Sequence, residues 1–324
     1  MDEIEKANKV FLQNFPAETW FERAILFSWY CKIRNCKFCY MSTQPDKKTA
    51  VRSKESLIAE AVICKNLGWE IGAFSGGIDA YSQADFKEII KNVSNVCGKL
   101  WLNVGALGEK EIKEYLPYTK GVVASIETVN PKLHDFVCPS KPTAPYEKML
   151  GTAGKYNLKK AMTIILGLGE TIEDFELLKN FIEKHKIDKI YFYSLNPQKG
   201  TVFENKEMPS AEYQAEWIAK TRIAFPKIEI LAGIWLNKVD RVPLLLKAGA
   251  NSISKFPALK AFGSKEAKKV EEGARKAGRK FKGTLTKLPK INWNEEVEKL
   301  NLEKNLKEKV NKKLNSYLSR LTHT

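Results

Sequence analysis

Eight short apolar runs alternate with amphipathic segments along most of this chain, and that alternation favours a parallel sheet with helices packed outside it. The candidate strands are 24–30, 70–74, 99–103, 121–126, 160–166, 189–193, 228–231 and 252–254. Helical spacing of apolar residues marks 53–67, 83–96, 109–116, 145–156, 171–185 and 210–225. Eight parallel strands are the number that closes on itself, so the expected fold is α/β, a (β/α)8 barrel; an open six-strand barrel is the alternative. We expect the barrel to occupy residues 1–260 and a basic helical extension to occupy 261–324.

In a barrel the residues just beyond the strands share one face, where catalytic groups collect. Several of those positions are polar or glycine-rich: Ser75-Gly76-Gly77, Asn103-Val104-Gly105, Ser125-Ile126-Glu127-Thr128, Gly167-Leu168-Gly169-Glu170-Thr171 and Asn196-Pro197-Gln198-Lys199-Gly200-Thr201. Each also reads as an ordinary turn, with Thr171 as a helix cap and Asn196-Pro197 as a turn former.

Immediately after the first strand come Cys31, Cys36 and Cys39. Three thiolates this close can hold three corners of one 4Fe-4S cluster and leave its fourth iron without a protein ligand. A structural zinc site needs a fourth ligand, and the histidines, His134, His185 and His323, are far apart in sequence. A disulfide knot suits short secreted chains, whereas six cysteines in 324 residues suit a reducing cytoplasm, where this chain is expected. Cys64 and Cys97 fall late in helices and read as small core residues. Cys138 lies on the segment after the fourth strand, stiffened by Pro139 and Pro142, and is a candidate catalytic thiol.

The cysteine run, its aromatic neighbours Phe38 and Tyr40, and its place after a first strand resemble the radical S-adenosylmethionine (radical SAM) enzymes, although the family's commonest spacing has one residue fewer between the first two cysteines. The resemblance implies that SAM chelates the open iron and, on one-electron reduction, yields a 5'-deoxyadenosyl radical. Residues 24–257 resemble the biotin synthase branch in particular, through Gly-Leu-Gly-Glu-Thr at 167–171, Lys-Gly-Thr at 199–201, Ile-Leu-Ala-Gly at 230–233 and Ala-Gly-Ala-Asn-Ser-Ile at 248–253. By that resemblance Ser75, Gly76 and Gly77 meet the SAM amino group, Ser125 and Glu127 face its ribose and methionyl parts, and Tyr40 stands near the adenine. Asn103, Gly167 and Asn196, at the same strand ends, join them as candidate cofactor contacts.

Biotin synthase also carries a 2Fe-2S cluster on three strand cysteines and an arginine. Here the corresponding neighbourhoods are Phe74-Ser75, Leu100-Trp101-Leu102, Ala161-Met162-Thr163 and Ile234-Trp235, so this chain is not expected to be biotin synthase. The archaeal two-component lipoyl synthases look nearer, which implies a sulfurtransferase acting on an unactivated carbon of a protein-bound octanoyl chain. Partners would then be an electron-donor protein and an acidic carrier protein or a second radical SAM subunit; Cys138 would hold an auxiliary cluster, give a hydrogen atom to a product radical, or simply pack its loop. The alternatives are a maturase for a hydrogenase iron cofactor and a non-catalytic iron-sulfur partner subunit.

The formal charge is +16, and residues 261–324 hold 17 Lys and Arg against 8 Glu. Such a tail suits an acidic partner, or simply the lysine- and glutamate-rich surface of a heat-adapted protein. Nucleic acid is not expected, since no aromatic-rich basic reader motif occurs. A membrane is not expected either, because no apolar run is long enough to span one.

Overall fold

The computed structural model describes residues 2–43 and 50–322. Eight parallel strands form one sheet in strict chain order: β2 (Glu22–Ser28), β3 (Glu70–Gly76), β4 (Leu100–Asn103), β5 (Thr119–Glu127), β6 (Lys159–Leu166), β7 (Lys189–Ser194), β8 (Glu229–Gly233) and β9 (Ser252–Ser254). The sheet curls into the expected barrel. Its seam joins β2 to β9 through a parallel bridge between Phe21 and Ile253, and Ser254 Oγ donates to the Glu22 carbonyl at 2.7 Å. Above that bridge the seam has no further ladder pairing among the described residues.

The helices form an outer ring: α2 (Lys54–Leu67), α3 (Gln83–Cys97), α4 (Glu109–Tyr115), α5 (Pro131–Val137), α6 (Ala144–Lys155), α7 (Phe175–His185), α8 (Ala211–Ala224) and α9 (Val242–Lys247). Their starts follow from local chemistry. Ser82 and Ser210 accept backbone N–H bonds from Asp85 and Tyr213, and Asn130 accepts one from Leu133 ahead of Pro131. Between ring and sheet lies the main apolar core, with Phe27, Phe74 and Phe86 packed against one another at tilted and edge-on angles. A smaller cluster of Trp101, Val123, Ala161, Tyr191 and Leu231 fills the lumen. Below it the Lys189 ammonium reaches both Glu22 oxygens at 2.8 and 2.7 Å and also pairs with Glu229, closing the floor with a satisfied buried charge group.

The segments outside the barrel are tied to it. An N-terminal helix α1 (Glu3–Asn14) precedes β1 (Glu18–Trp20), which pairs in parallel with β10 (Lys280–Lys282) from the far end of the chain. After α10 (Lys265–Lys276) and α11 (Trp293–Glu298), the last helix α12 (Lys304–Thr322) packs against α2, where Tyr317 Oη bonds Ser56 Oγ at 2.7 Å and accepts from Arg52 at 3.1 Å. Arg52 and Arg23 both pair with the buried Glu60 carboxylate. No helix of the described residues is long and apolar enough to cross a membrane.

Candidate functional site

The three cysteines sit on the loop that leaves β2 at the barrel's C-terminal face, each partly exposed. Three ties hold the loop. The Lys32 amide donates to the Ile78 carbonyl at 3.1 Å, the Lys37 amide donates to the Val137 carbonyl at 2.9 Å, and Asn35 bonds Ser140 through their side chains. Under the first tie lies Gly77, where a Cβ would overlap the Tyr30 carbonyl and stand 2.6 Å from the Cys31 Cβ. Gly76 is confined similarly, since its Cβ would enter the Phe27 ring. The Ser75-Gly76-Gly77 run therefore brings β3 backbone against the cysteine loop, a close approach that only residues without a side chain allow.

Cys36 and Cys138 share a thiol hydrogen bond, which with the nearby Lys141 ammonium brings the Cys36 thiol down to about 7 against the pull of burial. Cys138 is pushed up by the same bond and by burial. Burial raises Cys39 to about 11 although the Met41 amide opposes it. Tyr40 opens the 3-10 turn Tyr40–Thr43, and burial raises its phenol as well. Among the described residues no three His, Cys, Asp or Glu side chains gather around a single metal ion. A 4Fe-4S cluster spreads its thiolates over separate irons, and this donor set fits one: three free cysteines on one pinned loop, one of them already biased toward thiolate.

The other sequence candidates fall into pairs at this same end. Ser125 Oγ donates to Asn103 Oδ1 at 2.7 Å. Glu127 ends β5 in a left-handed conformation (φ +65) where the register with β6 shifts, and its oxygens accept from Lys141 Nζ at 2.7 Å and Thr163 Oγ1 at 3.0 Å. Such bulges re-aim side chains beside sites. Burial works against a charged Lys141, but Glu127 overcomes it and keeps the ammonium protonated. The amides of Gly167, Leu168 and Gly169 donate to the Glu170 carboxylate, so this turn caps itself. The Asn196 carbonyl accepts from Gln198. Their neighbours Leu168 and Leu195 pack with Val137, Cys138 and Phe203 beneath Cys36 and Phe38.

One expectation changes in form. The segment before Cys138 is not a plain loop: residues Pro131–Val137 are helical, and Cys138 caps that helix, its amide bonding the His134 carbonyl at 2.8 Å. The thiol is buried, 1% exposed, against Cys36. Cys64 lies buried in α2, as expected of a core residue, whereas Cys97, at the end of α3, is only partly buried against the core. Of the two residues expected near the missing arginine, Ile234 is buried and Trp235 donates its indole N–H to the Ser194 carbonyl at 3.1 Å.

Two residues escaped the sequence reading, Lys141 and Lys255. Lys255 follows β9 directly, so the strand-end rule that selected Ser75 and Glu127 applies to it equally.

Residues 27–182 match the radical SAM superfamily. An uncharacterized protein of Methanocaldococcus jannaschii is 37% identical across 99% of this chain and 94% of its own length. The 7,8-didemethyl-8-hydroxy-5-deazariboflavin synthase of Archaeoglobus fulgidus is 28% identical over 69% of this chain and 72% of its own. Biotin synthase of Clostridium botulinum is 27% identical over 67% and 71%. Among solved structures, methylornithine synthase superposes with a TM-score of 0.69 at 23% identity over 78% of this chain and 76% of its own. The FeFe-hydrogenase maturase HydG of Carboxydothermus hydrogenoformans gives 0.71 at 15% over 99% and 83%, a likeness of fold. With the cysteine loop at the mouth of such a barrel, residues 27–182 carry a radical SAM superfamily domain.

Proposed function

We propose that Cys31, Cys36 and Cys39 hold one 4Fe-4S cluster and that this enzyme uses SAM to activate a carbon–hydrogen bond of a substrate in the barrel lumen. The observation that carries this is the cysteine loop pinned over Gly77 at the lumen's mouth. When bound there, SAM supplies a 5'-deoxyadenosyl radical on one-electron reduction. The chain's own residues then have separable tasks. The Ser75-Gly76-Gly77 backbone presents the SAM-binding edge, Asn103 and Ser125 form a polar pair at the strand ends, and the Glu127–Lys141 ion pair stands near Cys36. Tyr40, Gly167 and Asn196 complete the rim.

At the finer level our reading is sulfur insertion into a carrier-bound octanoyl chain. It is supported by the absence of the biotin synthase auxiliary ligands from the sequence and by a basic C-terminal region suited to an acidic carrier. Cys138 serves either as an auxiliary ligand or as a hydrogen-atom donor. The maturase reading draws support only from the shared fold with HydG.

The test is anaerobic reconstitution followed by reduction with SAM. Release of 5'-deoxyadenosine, lost when any of the three cysteines becomes alanine, supports an enzyme; its formation by a triple alanine variant overturns the radical reading. About four irons per chain mean one cluster and about eight mean an auxiliary one.

A further inference from the structure

Where the seam between β2 and β9 stops pairing, a cavity of about 660 Å³ runs from the lumen, past Ala24, Leu26 and Ser75, to the outer surface under the end of α12. That is the size of a pocket for a small organic molecule. Its walls hold five cationic side chains, Arg23, Arg52, Lys255, Lys260 and Arg320, against one carboxylate, Glu60.

The charges are not equally committed. Arg52 spends its donors on Glu60, Ser56, the Leu26 carbonyl and Tyr317. Arg23 gives Glu60 only its Nε, at 2.6 Å, and among the described residues its two terminal nitrogens have no hydrogen-bond partner. Lys255 is half-buried, its ammonium lies 4.5 Å from the centre of the Tyr193 ring, and it makes no ion pair among the described residues. Burial lowers its pKa, with Glu127 and Cys39 opposing only through space. Its backbone is also held left-handed at φ +67, a conformation costly for a residue with a side chain. Its stem packs beside Gly233, where a Cβ would come within 3.4 Å of it. The chain thus strains a residue to hold in a cavity a cation that faces an aromatic ring but, among the described residues, no counter-charge, an arrangement that an anion would complete.

We propose that this cavity binds a small anionic molecule, a carboxylate or a phosphate ester, with Lys255 taking its charge and Arg23 its second contact. The inference rests on the radical SAM reading and not on the octanoyl one, whose amide-linked chain carries no anion: the anionic group anchors the substrate at the β2–β9 seam while its carbon skeleton points into the lumen beneath the cysteine loop. The substrate is then fixed by its charged end, and the α12 terminus forms part of the wall.

The experiment is calorimetric titration of the anaerobically reconstituted full chain, with SAM present, using inorganic pyrophosphate in one arm and glutarate in the other. We expect salt-sensitive binding of one probe at one site, with the arm that binds assigning phosphate or carboxylate. Lys255→Met weakens it by about tenfold or more, the scale of a lost charge-assisted hydrogen bond, and Lys255→Arg restores most of it. Three results overturn the inference: neither probe binding wild type at about 10 mM; equal binding to wild type and Lys255→Met; or weakened binding accompanied by lost iron in Lys255→Met, which makes the lysine a charge partner of the cluster. Failure of the radical reading shows separately, as no 5'-deoxyadenosine from wild type whatever the anions do.

Discussion

Gly77 has no room for a side chain, and that single fact links β3 to the metal-binding loop. A methyl there must push away the Tyr30 carbonyl and Cys31, so Gly77→Ala displaces a ligand while leaving the barrel's core untouched. We expect iron content to fall severalfold with only a modest change in melting temperature, measured by iron assay and thermal unfolding; full iron loading in Gly77→Ala would show that the contact does not set the loop. Glu127 makes the contrasting case. Its resemblance-based role faces SAM, but its oxygens are occupied by Lys141 and Thr163, and both partners of the ion pair are nearly buried, at 11% and 8% exposure. Glu127→Gln leaves the ammonium buried without its counter-charge, a loss of about 3–5 kcal/mol. Adding Lys141→Met should recover much of it. Chemical denaturation of the two variants distinguishes this from a pure SAM contact, for which stability would not move.

At the scale of elements, the barrel strands were legible because a buried parallel strand needs a short apolar run and the amphipathic helices between them supply the second period. Residues 252–254 were found at their observed limits. What escaped was structure made by partnership. Residues Lys280–Lys282 carry too little apolar character to mark a strand and exist as one because β1 lies beside them; α5 is too short for a periodicity, and only Asn130-Pro131 marks its start. The catalytic face was legible in the same way, since strand ends can be counted, whereas the Glu127–Lys141 and Cys36–Cys138 pairings join residues that sequence order does not bring together. The Glu60 junction is likewise a long-range product. Burial alone would raise its carboxyl pKa, but Arg23 and Arg52 outweigh that and hold it below the ordinary value. A depressed folded pKa contributes stability above the unfolded value of about 4.3 and loses it as the pH falls through the folded one. Acid unfolding should therefore steepen below about pH 4 in wild type, and Glu60→Gln should be less stable at neutral pH with a flatter acid limb. Parallel acid limbs would mean that the two arginines do not depress Glu60.

For the whole molecule, the open question is what the basic C-terminal fifth does. We propose that residues 261–324 form a distinct extension in sequence, yet the last helix contributes to the barrel's wall: Val310, Leu314 and Leu321 are buried and Tyr317 bonds Ser56 and Arg52 of the β2–α2 region. Burying each such aliphatic side chain is worth about 1.5–3 kcal/mol, so removing residues 304–324 should lower the melting temperature of the whole barrel rather than delete an independent transition. The charge has a different consequence. Seventeen cations against eight carboxylates lie in this region, and exposed charge attracts over a Debye length of only about 8–10 Å at physiological salt. An acidic carrier domain recruited here should associate faster and more tightly at low salt and lose most of that advantage by about 0.15 M. Measuring carrier binding across a salt series with the full chain decides between recruitment and a heat-adapted surface: salt-independent binding, or none at low salt, leaves the lysines as solvated surface and removes the charge argument for a carrier-bound substrate.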